Sequence, residues 1–335
     1  MNAYELTSPS LSALRRTTLP DPVPGRGEVL VRLRAAALNY ADVAVATGAF
    51  PVPRFPIVPV ADGAGEVVAL GPDVTGVAIG ERVMPHFMPG WLTGPMTSSS
   101  MGAMRGVTHQ GSLADYVAVP AATVVATPSH LDDVQAAALP IAATTAWNAV
   151  RSAQVRPGST VVILGTGGVS IFALQFAKAS GATVIVVSSS EAKLERARLL
   201  GADRLINRTA TPAWDEQVIG ITNGRGADLV VETVGGANFA RSLNAAATGG
   251  TVFTVGFLGG SQTSFDLFAI IGKALRVIGN STGSVADLRE AARAIEANRI
   301  VPAIDRTFGF DEVGAAYDEL AAGGRHFGKL AIVLP

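Results

Sequence analysis

Apolar positions along this chain follow two rhythms. Over Glu28–Ala36, Val29, Val31 and Leu33 fall on one side while Leu30, Arg32 and Arg34 fall on the other. That two-residue period predicts a half-buried strand. Gly63–Leu70 and Leu113–Val119 alternate in the same way, and Asn39–Thr47 reads as a short helix. These elements sit among frequent prolines and glycines, so the first part of the chain is expected to be β-rich. His86–Gln110 is rich in Gly, Met, Ser and Pro and has no period. It is expected to be a long surface loop or lid, because long unpatterned loops are usually functional or mobile.

From Thr160 onward strand-like and helix-like stretches alternate. Thr160–Leu164 and Thr183–Val187 are short apolar runs; Val169–Ser180 and Glu191–Leu200 carry helical spacing, through Phe172 and Phe176 in one and Leu194, Ala197 and Leu200 in the other. Further strands are expected at Asp228–Val231, Thr251–Val255 and Leu275–Ile278. Such alternation predicts a parallel sheet covered on both faces. The helix Val285–Asn298 closes this unit, and the strand-like Lys329–Leu334 returns to the first domain. The expected organisation is 1–125, then an inserted nucleotide unit at 126–282, then a return segment at 283–335.

Composition narrows the picture. A chain of 335 residues, 48% hydrophobic and 16% charged, can bury large cores and is expected to form more than one domain. The net charge of −1 argues against a nucleic-acid partner. The absence of cysteine rules out disulfides and every Cys-ligated zinc or iron–sulfur site, and agrees with a reducing cytoplasm. Met1–Arg16 shows no basic stretch followed by an apolar core, so no secretory signal is expected. The most apolar stretch, Ala136–Val150, is interrupted by Pro140 and shorter than the roughly 18 residues of a membrane helix. A soluble, cytoplasmic protein without a membrane partner is expected.

The sharpest motif is Val161-Val162-Ile163-Leu164-Gly165-Thr166-Gly167-Gly168-Val169-Ser170. A buried strand, a glycine turn and a helix start follow one another, as a pyrophosphate site requires: the glycines let backbone approach the anion, and the helix start offers free N–H groups. Gly165, Gly167, Gly168 and Val169 are the cofactor candidates, and Ser170 is the third small position. The second strand ends in Val187-Ser188-Ser189-Ser190, with no acid at the strand end to bind a ribose 2′-hydroxyl. Ser188, Ser189 and Ser190 can instead hydrogen-bond a 2′-phosphate, with Lys193 and, beyond it, Arg196 supplying positive charge. The expected cofactor is therefore NADP(H). Ser189 or Ser190 also suits the cap of the following helix.

With these features the chain resembles the medium-chain dehydrogenase/reductase superfamily, and within it the zinc-free quinone oxidoreductase branch. The resemblance runs through Ala36–Asp42, Pro59–Val67, Gly111–Tyr116, Ala138-Leu139-Pro140, Thr144–Trp147, the Gly165–Ser170 turn and Leu200–Asp203. It implies a Rossmann doubly wound sheet inserted into a GroES-like catalytic domain. Where zinc-dependent relatives carry a Cys, a His-Glu pair and a second Cys, this chain has Leu38-Asn39-Tyr40, Ala61-Asp62 and Ile141. No metal is expected. The resemblance further implies cofactor contacts from Thr145, Asn207, Val234, Gly256, Phe257, Leu258, Phe327 and Lys329, and a homodimer formed through the edge near Leu275–Ile278.

Hydride addition to a quinone or enone builds negative charge on the carbonyl oxygen, and a neutral donor must meet it when no metal is present. Asn39 and Tyr40 are the candidates, because they stand where the zinc branch has its first ligand; Asn39 equally suits the cap of its helix, with Asp42 in the first turn. Phe50 stands where many relatives have a tyrosine and, with Trp91, is a candidate wall for a flat substrate. Trp147, Trp214 and Phe253 read as core. The expected activity is NADPH-dependent reduction of a quinone or α,β-unsaturated carbonyl. The competing readings are a zinc-free alcohol dehydrogenase, an enoyl-thioester reductase, or a protein that binds NADPH without turnover.

Overall fold

A computed structural model describes all residues, 1–335. Two compact units divide the chain: Met1–Thr144 with Gly283–Pro335, and Thr145–Thr282 between them. The first unit is thus built from two segments of sequence, interrupted by the second.

The first unit opens with a hairpin, β1 (Asn2–Leu6) against β2 (Leu14–Thr18). There follow β3 (Glu28–Leu38), α1 (Tyr40–Ala46), β4 (Asp62–Leu70), β5 (Arg82–Pro85), β6 (Tyr116–Pro120), β7 (Val124–Ala126), α2 (Asp133–Ala137) and α3 (Ala142–Ser152), the last crossing into the second unit. β3 is the organising strand. Its first half alternates as the sequence suggests, with Val29, Val31 and Leu33 buried between partly covered neighbours, but Ala35–Leu38 are buried on both faces. The alternating reading of Leu113–Val119 holds only from Tyr116. Leu113 and Ala114 turn to the hairpin instead: the Tyr4 amide donates to the Leu113 carbonyl at 2.8 Å, and Ala114 bridges Ala3.

The segment from His86 to Gln110 is not a free lid along its length. His86, Met88, Trp91, Arg105 and Val107 are buried, while Gly90, the stretches 92–99 and 101–102, and His109 with Gln110 lie open. The apolar residues at its two ends find core positions that a search for periodicity cannot see.

The second unit comprises β8 (Thr160–Leu164), α4 (Gly168–Ala179), β9 (Thr183–Ser188), α5 (Glu191–Leu199), β10 (Arg204–Asn207), α6 (Trp214–Ile221), β11 (Ala227–Glu232), α7 (Asn238–Ala245), β12 (Ala246–Thr254), α8 (Phe268–Ile271) and β13 (Arg276–Gly279). All strand pairs are parallel, in the order β10-β9-β8-β11-β12-β13. The order reverses at β8, so a crevice opens at its carboxyl end, where doubly wound sheets bind dinucleotides. Val162, Leu164, Ile185, Val187 and Val230 form the core of one face with Trp214 and Val218. Trp147 packs edge-on against Phe176 at 5.3 Å between ring centres.

The chain then returns to the first unit with α9 (Val285–Asn298), which was expected to close the second unit but belongs to the first, followed by β14 (Ile304–Phe308), α10 (Val313–Ala321) and β15 (Lys329–Val333). β15 inserts between β14 and β3, completing the order β14-β15-β3-β4-β5-β7 with β6 paired to β3. The result is a GroES-like unit carrying an inserted Rossmann-type parallel sheet.

Candidate active site

The glycine turn of the second unit is shaped by two conformational demands. Gly165 has φ +72, a left-handed geometry that side chains resist. Gly167, the cap before α4, has an ordinary φ of −79, and a Cβ there would meet nothing within 4 Å. Glycine at 167 is therefore not required by this fold, and the open space beside it, at the start of a twelve-residue helix, suits a diphosphate. Ser170 fills the third small position with a purpose: its hydroxyl donates to the Leu164 carbonyl at 2.7 Å, and the Thr233 hydroxyl donates to the same oxygen at 2.7 Å. Together they pin the turn to the end of β8. Gly168 and Val169 form the first residues of α4.

At the end of β9, Ser188 is buried and Ser189 exposed. Ser190 does cap α5, its hydroxyl accepting from the Lys193 amide at 3.4 Å. Asn207, at the end of β10, donates to Glu191 at 2.5 Å, so the candidate ribose contact is already engaged by an acid in the first turn of α5. Arg208, a residue the motifs do not single out, is brought to this rim because its amide donates to the Ser188 carbonyl at 2.9 Å. Only the pairing of β10 with β9 reveals it. Beyond β11, Val234 and Gly235 donate their amides to buried Glu232 at 2.7 and 2.9 Å, and the Gly259 amide bonds the Val234 carbonyl. Those bonds hold the loop of Gly256, Phe257 and Leu258 in place, with both larger side chains partly or largely exposed. Thr145 is buried near the start of the unit. These groups fit a nicotinamide dinucleotide.

In the first unit Asn39 stands at the cap of α1. Its backbone amide is taken by the Asp42 carboxylate at 2.7 Å, but its own side chain turns away from the helix. The Asn39 Oδ1 accepts from Lys329 Nζ at 2.6 Å, and its Nδ2 donates to Asp62 Oδ2 at 2.8 Å. Lys329 Nζ lies 3.4 Å from the same carboxylate oxygen, which also receives the Ile141 amide at 3.4 Å. Lys329 is 3% exposed and Asp62 0%. Burial raises the Asp62 carboxyl, opposed by the Lys329 charge, and burial lowers the Lys329 ammonium, opposed by Asp62. Burial also pushes Asp42 up to about 7. Arg105, buried and bonded to the Ser112 hydroxyl at 2.9 Å, is a second cation in the field of Asp62.

Strand register explains this meeting. Leu330 faces Leu38 across β15 and β3, so one pair further Lys329 faces Asn39. Ala37 faces Asp62 across β3 and β4. Residues 37 and 39 share a face, so the cation, the amide and the carboxylate converge from adjacent strands. Lys329 thus belongs to this cluster, while Phe327 is a buried residue of the same return segment. Tyr40 begins α1 and is 40% exposed. Phe50 is half-buried against the core, and Trp91 is buried, its indole N–H donating to the Gly94 carbonyl at 2.9 Å.

A zinc ion does not fit these residues. No group of three or more His, Cys, Asp or Glu side chains gathers anywhere, and the one carboxylate at this position faces an ammonium.

A GroES-like unit bearing a polar cluster and a Rossmann-type unit with an open glycine turn define an oxidoreductase built to use a nicotinamide cofactor. Comparison with known proteins agrees. The family model described as alcohol dehydrogenase GroES-like domain matches residues 25–129, and that described as zinc-binding dehydrogenase matches residues 168–297. A zinc-type alcohol dehydrogenase-like protein of Schizosaccharomyces pombe is 40% identical over 314 residues, covering 91% of this chain and 90% of its own. An acryloyl-coenzyme A reductase of Metallosphaera sedula is 29% identical, covering 90% of each chain. A solved NAD-dependent alcohol dehydrogenase superposes with a TM-score of 0.90 at 33% identity, covering 100% of both chains. The chain belongs to the medium-chain dehydrogenase/reductase superfamily.

Proposed function

We propose that this protein is a zinc-free, NADPH-dependent reductase of quinones or α,β-unsaturated carbonyl compounds. The observation that carries the reading is the cluster in the first unit: an amide held between a buried ammonium and a buried carboxylate, where a metal-dependent relative needs Cys and His ligands. A bound nicotinamide supplies the hydride. As the hydride arrives, the acceptor oxygen gains charge, and the Nδ2 proton of Asn39 not given to Asp62 donates to it. The Tyr40 phenol returns a proton to the reduced product. Phe50 and Trp91 form an apolar wall for a flat acceptor. Ser188, Ser189 and Lys193 at the β9 rim support NADPH over NADH, because no carboxylate ends the strand.

Names among the relatives point also to alcohol oxidation and to enoyl-thioester reduction. One set of assays separates these readings. Cofactor oxidation is followed with NADPH and NADH against 1,2-naphthoquinone, crotonaldehyde and an enoyl-CoA, with primary alcohols and NAD+ in the reverse direction. Metal content is measured on the same sample, and the assays are repeated after chelation. The proposal expects NADPH-linked reduction of the quinone or enone, indifferent to chelator. Stoichiometric zinc with chelator-sensitive alcohol oxidation would replace it. Tight NADPH binding without turnover of any acceptor would mark a binding protein.

A second part of the proposal is a homodimer through the β13 edge. Around that strand Leu267, Phe268 and Ile271 are 65%, 73% and 65% exposed, which is unusual for neighbouring large apolar side chains.

A further inference from the structure

We propose that Lys329 is a positioning residue whose ammonium takes over, from the neighbouring strand β15, the task of orienting and polarising the Asn39 amide. The inference rests on the reading of Asn39 as the donor to the substrate oxygen. Its ground is geometric. A primary amide can be placed two ways round, and here both ends are fixed by charge: Oδ1 meets the ammonium at 2.6 Å and Nδ2 meets the Asp62 carboxylate at 2.8 Å. The flipped amide would set N–H against ammonium and carbonyl against carboxylate. One Nδ2 proton is consumed by Asp62 and the other remains for a ligand. A charge-assisted bond to Oδ1 draws electron density toward that oxygen and makes the remaining N–H a stronger donor.

Stability alone is a weak reason for this arrangement. An ion pair buried to this degree is often matched or bettered by well-packed apolar residues. The carboxylate is also incompletely served, since Asp62 Oδ1 has no hydrogen-bond partner. The groups that face the ammonium and its partners are Asp62, Asp42, Arg105 and, buried beside Asp42, Tyr317. The Asn39 carbonyl oxygen accepts from the Lys329 ammonium.

The test compares Asn39→Ala, Lys329→Arg, the charge-balanced pair Lys329→Met with Asp62→Asn, and that pair combined with Asn39→Ala. The balanced pair is used because Lys329→Met alone leaves a buried carboxylate uncovered and risks unfolding. Melting temperature and NADPH affinity, read by nucleotide fluorescence, are expected to stay near wild type in the pair. With the quinone or enone that the enzyme reduces, kcat should fall about 100-fold in Asn39→Ala and about 10-fold in the pair, with KM little changed. Lys329→Arg should keep most of the rate. Adding Asn39→Ala to the pair should cost no more than Asn39→Ala alone, because the lysine acts through the amide. The part of the alkaline limb of the kcat profile that begins below the ordinary lysine range in wild type should be absent from the pair. In the apoprotein, the Asn39 side-chain amide resonances, assigned through their loss in Asn39→Ala, should move in Lys329→Arg. Losses that multiply, or a pair with wild-type kcat, would overturn the role of Lys329 while leaving Asn39 intact. A silent Asn39→Ala would overturn both. If no acceptor is reduced, unmoved amide resonances in Lys329→Arg would still count against the coupling.

Discussion

His86 and Lys329 carry charge-bearing groups into the interior, and each leaves a signature in solution. The imidazole Nδ1 lies 3.0 Å from the Met88 amide and 3.2 Å from the Met88 carbonyl, while Nε2 is buried without a hydrogen-bond partner. Burial lowers its pKa to about 4, opposed first by the hydrogen bond to the Met88 backbone and then by Asp287, and assisted by Arg289. The native state therefore refuses a proton that the unfolded chain, with a pKa near 6.5, takes up. Stability contributed by the neutral ring is complete above pH ~6.5 and is lost as pH falls toward about 4, amounting to roughly 3 kcal/mol. In denaturant titrations His86→Gln should flatten that part of the profile; curves that stay parallel would assign the acid sensitivity elsewhere. At this scale Asn39 was chosen because the family resemblance puts it where the zinc branch has its first ligand, with helix capping as the rival role. The Asp42 carboxylate accepts the Asn39 backbone amide and the Asp42 amide bonds the Asn39 carbonyl, while the Asn39 side chain bonds Lys329 and Asp62. Lys329 was expected at the cofactor, and its bond to Asn39 could not be read from spacing, because the two residues are separated by 290 positions. Arg208 escaped notice for a similar reason.

Elements with strong periods were legible. The strand Thr160–Leu164 and the helix Val285–Asn298 stand where the apolar pattern set them. Short elements were not: β10 is four residues ending in Asn207, and the hairpin of β1 and β2 carries two arginines in Leu14–Thr18. Their apolar content is too small for a period to emerge, and their pairing partners complete them. The glycine turn offers a test that separates fold from binding. At Gly167 a side chain has room and the backbone is unstrained, and aspartate is a good helix cap. Gly167→Asp should leave the melting temperature unchanged or raise it, while nucleotide affinity falls about 100-fold, near 2.7 kcal/mol, by repulsion from the diphosphate. Equal loss of stability and binding would mean that the glycine serves the turn itself.

For the molecule as a whole, the change of rhythm near Thr160 pointed to an inserted parallel-sheet unit, expected over 126–282; the compact unit observed covers Thr145–Thr282, so residues 126–144 belong to the first unit. The reading of 86–110 as a lid failed over its ends, because isolated apolar residues such as Met88 and Trp91 carry no pattern until the core that accepts them exists. No helix is long and apolar enough to cross a membrane. Each chain weighs 34.3 kDa, and light scattering should return about twice that mass if the β13 edge joins two copies. Phe268→Glu with Ile271→Glu should then give the single-chain mass with the fold retained; an unchanged mass would move the interface elsewhere.

Ala37 deserves a different valuation from the one its methyl group suggests. It faces Asp62, on the same side of β3 as Asn39, and nothing larger than a methyl projects there. That vacancy of bulk is what allows an aliphatic stem rooted on one flank of the strand to bring its head to a carboxylate rooted on the other. Ala37→Val would wedge the two apart, so turnover should decline before thermal resistance does. A substitution that any hydrophobicity scale scores as harmless would then act through the contact between its neighbours.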